Sequence, residues 1–147
     1  MKNIFDNDTY EELKTRINSL SNISSRLWGR MEVAQMLHHC QAPLNIILGR
    51  EDYNLKSNFL AKMFFKKTMY SDKRWARNLP TVPAFKVTEQ KEFKTEKAEL
   101  LKLLEDAHNL KHAKSIKPHP VFGEFTKEEW GKLQYKHLDH HLRQFGV

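Results

Sequence analysis

The chain has 147 residues, 39% hydrophobic and 29% charged, which suits one soluble globular domain with a core of its own. Five glycines and five prolines leave little room for a turn-rich all-β fold, and no apolar run approaches the length of a membrane span. Twenty-five basic against eighteen acidic residues give a net charge of +7, which admits an anionic ligand or nucleic acid as a partner depending on where the charge sits.

The opening segment, Met1 to Asp6, lacks the apolar core of a secretion signal. Asp8-Thr-Tyr-Glu11 has the pattern of an N-cap with its reciprocal acid and predicts a first helix from Asp8. Tyr10, Leu13, Ile17 and Leu20 form its apolar stripe, and Ser21 to Ser25 is a polar break.

A second helix is expected after Trp28-Gly29, running to about Leu48. Turning at about 100° per residue, it gathers Val33, Met36, Leu37, His39, Cys40, Leu44 and Ile47 on one arc. His38 falls on the opposite, polar arc with Gln35, Gln41 and Asn45. Pro43 removes a backbone donor and is expected to bend this helix about one turn after His39. Cys40 is the only cysteine, so no internal disulfide is possible and a cytoplasmic location is expected.

Residues 50 to 86 are the least regular. Ser57 to Phe65 reads as a short extra helix with Phe59, Leu60, Met63 and Phe64 inward, and Asn78 to Pro83 reads as extended chain. Eight basic residues face three acids between positions 50 and 79, so the net charge is concentrated here. The next long helix is expected over 89 to 112, with Phe93, Leu100, Leu103, Leu104 and Ala107 on its apolar side. His108 and His112 share a side with Lys94, Lys97 and Glu105 and read as solvated. His119, in a Pro-His-Pro loop, reads as structural or exposed.

Thr126-Lys-Glu-Glu129 is a capping box opening the last helix. There Trp130, Leu133, His137, Leu138, His141, Leu142, Gln144 and Phe145 occupy one arc, with His140 at its margin. Four apolar-striped helices and no strand pattern argue for an all-α four-helix bundle, a single domain over residues 1–147.

His137 and His141 stand four apart on an apolar face, which places their Cβ atoms about 5–6 Å apart. Two buried imidazoles need partners. Either they are a hydrogen-bonded pair contacting Gln144 and backbone carbonyls, or they share a divalent metal. His39 is the only other histidine within a strongly apolar helical arc, and in a bundle a site is built from facing helices. Three neutral imidazoles with open positions are the composition of a catalytic rather than a closed structural metal site.

Helix two carries Trp28-Gly29-Arg-Met31 and Gln35-Met36-Leu37-His38-His39-Cys40. Pro80-Thr-Val-Pro83 precedes the third long helix, and His119-Pro120-Val-Phe122-Gly123, Trp130, Tyr135 and His137-Leu-Asp-His140-His141-Leu-Arg143-Gln144-Phe145-Gly146 close the chain. In these blocks the sequence resembles the DinB-like superfamily, and more narrowly an uncharacterised branch of unknown function. The resemblance implies an up-down-down-up bundle in which one histidine of helix two and a His-x-x-x-His of the last helix hold a divalent metal, commonly nickel or zinc. Carried over here, the ligands are His39, His137 and His141. The His38-His39 doublet leaves His38 as the alternative, and the helical arc favours His39. Some relatives are thiol S-transferases or isomerases that use low-molecular-weight thiols, and relatives are often homodimers. The superfamily's name refers to induction by DNA damage and does not imply DNA binding.

The expected function is therefore divalent-metal binding, with a metal-dependent thiol S-transferase or hydrolase activity on a small-molecule ligand. The alternative is a non-catalytic metal- or ligand-binding helical module. A metal on three histidines would lower the pKa of a bound water or thiol. Glu32, two turns before His39, is a candidate base or supporting acceptor, and Gln144 a candidate for orienting ligand or water. The basic segment from Arg50 to Arg77 is expected to recruit an anionic substrate such as a carboxylate-bearing thiol. No nucleic-acid partner is expected, because no reading motif accompanies Trp75, Phe64 and Phe65, and no membrane partner is expected either.

Overall fold

The computed structural model describes residues 1–147, and its regular structure is helical: α1 (Asn7–Ser19), α2 (Val33–Ile47), α3 (Phe59–Tyr70), α4 (Phe93–Asn109) and α5 (Lys127–Gln144). Single 3-10 turns occupy Pro83–Phe85 and Leu110–His112. The one β-type pairing is an isolated bridge between His119 and Gly123. No helix is long and apolar enough to cross a membrane.

The apolar stripes meet as their period dictates. Leu13 and Ile17 of α1, Met36, Leu37 and Leu44 of α2, Leu100 and Leu104 of α4, and Trp130, Leu138 and Leu142 of α5 are buried in one contiguous core. Burying each such side chain stabilises the fold by about 1.5–3 kcal/mol. α2 packs most extensively on α4, and α5 lies against α1, α2 and α3.

Helix ends depart from expectation where a neighbouring segment intervenes. α1 starts before Asp8, with Asp6 at its N-cap, because Asn3 already turns the chain. Its Oδ1 accepts from the Phe5 N–H at 2.9 Å and its carbonyl from the Asp6 N–H at 3.0 Å. α2 starts at Val33, later than its sequence suggests, and Glu32 is its N-cap. The helix continues through Pro43, and Gln134 of α5 donates to the Pro43 carbonyl at 3.2 Å. The capping box of α5 forms as expected, with Thr126 Oγ1 accepting from the Glu129 N–H at 3.1 Å and Glu129 Oε2 from the Thr126 N–H at 2.8 Å.

Two expectations are corrected. α3 does not turn Phe59, Leu60, Met63 and Phe64 inward; all four are exposed, as is Phe65. The helix meets the rest of the protein through its C-terminal turn, where Met69 and Tyr70 pack on the core. Lys136 of α5 donates from Nζ to the carbonyls of Thr68 at 2.6 Å and Ser71 at 2.9 Å. Lysine there complements the negative end of the α3 dipole. His108 is not solvated either. It is buried, stacks on Tyr10 at 4.4 Å, and donates from Nδ1 to the Ile4 carbonyl at 2.6 Å. The N-terminal segment covers that side of α4, whereas His112 stays exposed.

Candidate metal centre

α2 and α5 bring His39, His137 and His141 to one interior point. One nitrogen of each ring lies within 4.8 Å of the others, and all three residues are buried. The Nε2 atoms of His39 and His137 are 3.2 Å apart. His141 stands 4.6 Å from His39 and 4.7 Å from His137 between ring centroids. The spacing of four on α5 places its two rings on one face, and α2 supplies the third from across the core.

Hydrogen bonds set which nitrogen faces the centre. His39 Nδ1 donates to the Phe85 carbonyl at 2.9 Å, and His141 Nδ1 donates to Gln144 Oε1 at 2.9 Å. Gln144 Nε2 donates to the Trp28 carbonyl at 2.8 Å, which fixes the amide end that meets His141. Carbonyl oxygens only accept, so both Nδ1 atoms carry the proton and both Nε2 lone pairs are left free. Burial lowers the pKa of His39 and pushes His141 down to about 3. Burial, then the neighbouring imidazoles, hold His137 well below the usual histidine value. Neutral imidazole is the form that ligates a metal.

Three neutral imidazoles, two of them with outer partners, fit a divalent cation of the borderline class. The same geometry also admits a direct bond, with His137 Nε2–H donating to His39.

Around the cluster, Trp75 packs 6.0 Å from His137, and Trp28 packs 6.0 Å from His140. His140 is buried rather than marginal, and its Nδ1 has no hydrogen-bond partner. A cleft of about 800 Å³ reaches the site, bounded by Trp28–Met31, Asn78–Thr81, Phe85–Thr88 and the side chains of His140, His141 and Gln144. Its lining includes Arg30 and Lys86 and no carboxylate.

The structure separates the doublet on α2. His38 points away and meets Glu96 Oε2 at 2.9 Å, so His39 alone joins the α5 pair. Gln144 orients His141 and does not face open solvent. Glu32 is exposed and lines a different cleft, with Ser21 to Arg26 and Lys91 to Lys94, that contains none of the three histidines. Cys40 is buried against Met36, Sγ to Sδ 3.6 Å. The Phe85 carbonyl had no signal in the sequence, because a backbone oxygen carries no residue type. Trp28 and Trp75 did stand out as residue types, but nothing in their spacing ties them to the histidines.

The fold and site define an all-helical protein with a buried three-histidine cluster that reaches a cleft at His141. Residues 4–146 match a family described as a protein of unknown function (DUF1569), and the chain belongs to that family. No curated protein and no solved structure shows a match to it.

Proposed function

We propose that this protein binds a divalent metal, nickel or zinc, through His39, His137 and His141, and that it is a metal-dependent enzyme of the thiol S-transferase or hydrolase kind. The observation that carries this reading is the aim of two rings. His39 and His141 each commit Nδ1 to a carbonyl oxygen and turn Nε2 inward, as metal-ligating histidines do. The packing of α1, α2, α4 and α5 around one core is consistent with a DinB-like, up-down-down-up bundle.

The metal, when bound, would supply Lewis acidity and lower the pKa of a coordinated thiol or water. The chain's own residues do the rest. The Phe85 carbonyl and Gln144 hold two of the rings, Trp75 packs on His137, and Trp28 packs on the neighbouring His140. Arg30 and Lys86 line the approach and favour a small anionic ligand such as a carboxylate-bearing thiol.

Metal analysis of untagged protein tests the first step. The wild type should carry close to one nickel or zinc per chain, and His39→Ala and His141→Ala should lose it. Retention of the wild-type content by both variants would move the site elsewhere.

The second reading, a non-catalytic module, draws on the lack of a carboxylate base in the cleft. Metal-loaded protein that binds low-molecular-weight thiols but turns over neither thiol-transfer nor ester substrates would favour it.

A further inference from the structure

α3 fully buries none of its residues, and the apolar side chains of its first two turns are exposed. Phe59 is 73% exposed, Leu60 60%, Met63 56%, Phe64 63% and Phe65 57%. Phe59, Leu60, Met63 and Phe64 share one side of the helix and make an apolar patch of the kind that soluble monomers seldom leave open.

The patch is cationic as well as apolar. Between Tyr53 and Ser71 the chain carries Lys56, Lys62, Lys66 and Lys67 and no acid, and of these Lys66 turns back to the Glu124 carbonyl. Asp72, the next carboxylate, is paired with the N-terminal ammonium at 2.9 Å. Lys67 is exposed and lies three and four positions from Phe64 and Met63, on their side of the helix. Its stem can lie along the apolar face while its ammonium reaches outward.

The helix is also presented ready-formed. Asn58 Oδ1 caps it by accepting from the Ala61 N–H at 2.9 Å. Lys136 and the indole N–H of Trp75 hold the Thr68 carbonyl at its other end, at 2.6 Å and 3.2 Å. Docking this face therefore requires little further ordering of the chain.

We infer that the outer face of α3 seats on an anionic lipid bilayer, with Phe59, Leu60, Met63 and Phe64 at the acyl boundary and Lys67 reaching the headgroups. Charge decides against a second copy of the chain as occupant. A two-fold contact pairs a patch with itself, and α3 carries no carboxylate to receive Lys62 and Lys67 of the other copy. Anionic headgroups supply that charge, and the acyl boundary takes the rings. Surface seating needs no spanning helix, and the inference uses none of the three histidines.

Co-sedimentation of the full chain with extruded vesicles tests it, comparing phosphatidylcholine alone with phosphatidylcholine mixed with phosphatidylglycerol. The wild type should bind the anionic vesicles, less so as salt is raised, and Leu60→Asp with Phe64→Asp should lower partitioning by at least about tenfold. Both positions are exposed, so the variant should keep its helical circular dichroism. Lys67→Glu should weaken binding to anionic vesicles and leave phosphatidylcholine unaffected. Absence of wild-type binding to anionic vesicles overturns the inference, and so does a double variant that binds as well as wild type. A concentration-dependent dimer in sedimentation velocity that Phe64→Asp dissociates also overturns it, assigning the face to a second copy.

Discussion

A Cβ atom on Gly29 would lie 2.3 Å from Nε2 of Gln144, so only a glycine at position 29 lets that amide bridge the Trp28 carbonyl and the His141 ring. Gly29 also sits at φ +79, where a side chain is strained whatever the space. Gly29→Ala should therefore displace Gln144 and release His141 from its tautomer. The strain alone should cost about 1–2 kcal/mol, visible as a lowered Tm. Gln144→Ala, which removes the bridge without the strain, should weaken metal binding by about 10–100-fold with a smaller loss of Tm. Isothermal titration with nickel or zinc beside thermal melts separates the two effects. Undiminished affinity in Gln144→Ala would show that His141 needs no such partner.

Acid should destabilise the metal-free protein partly through His119, away from the cluster. Burial lowers its pKa to about 4, and its Nδ1 accepts from the backbone N–H groups of Val121 at 3.0 Å and Phe122 at 3.3 Å. In the unfolded chain the ring titrates at about 6.5. Between about 6.5 and 4 the unfolded state thus binds a proton that the folded state refuses. Stability therefore falls as pH drops through that window, by up to about 1.4 kcal/mol per pH unit for this one group. His119→Asn should flatten the dependence whatever it does to stability at neutral pH. Urea melts of chelator-treated protein at several pH values measure the slope, and an unchanged slope would mean that His119 titrates normally in the fold.

Glu32→Ala should leave metal content unchanged. The residue caps α2, with its backbone N–H donating to Gln35 Oε1 at 2.9 Å, and it lines the cleft that lacks the histidines. A loss of below about 1 kcal/mol is expected, since glutamate is not among the stronger N-caps. Reduced metal content or altered metal affinity in this variant would return Glu32 to the site.

What was legible in the sequence followed helical periodicity. One residue of rotation, about 100°, separates His38 from His39, and that angle is enough to send one ring to Glu96 and the other to the α5 pair. The apolar arcs of α2 and α5 were legible for the same reason. Glu32 shares an edge of α2 with His39 but stands seven residues earlier, about 10 Å along the axis at about 1.5 Å per residue, and lines the other cleft. The surroundings of His108 and α3 are not set by periodicity. Whether a helix side is wet depends on what covers it. Ile4 and Tyr10 cover His108 from the far end of the chain, whereas nothing covers the outer face of α3.

Cys40 follows His39 directly and invites a catalytic reading, yet its surroundings predict an inert thiol. It points about 100° away from His39 round the helix, into the core beside Met36. Burial raises its pKa far above the ordinary thiol value, and the thiolate is the reactive form. The native protein should not react with an aromatic disulfide reagent at mildly alkaline pH, whereas denatured protein should release one equivalent. Cys40→Ala should keep full metal content and lose about 1 kcal/mol for the small cavity left behind. Cys40→Ser should lose more than Cys40→Ala, because its hydroxyl would be buried among apolar side chains. Native protein that reacts as fast as denatured protein, or metal lost on Cys40→Ala, would place the sulfur in the site after all.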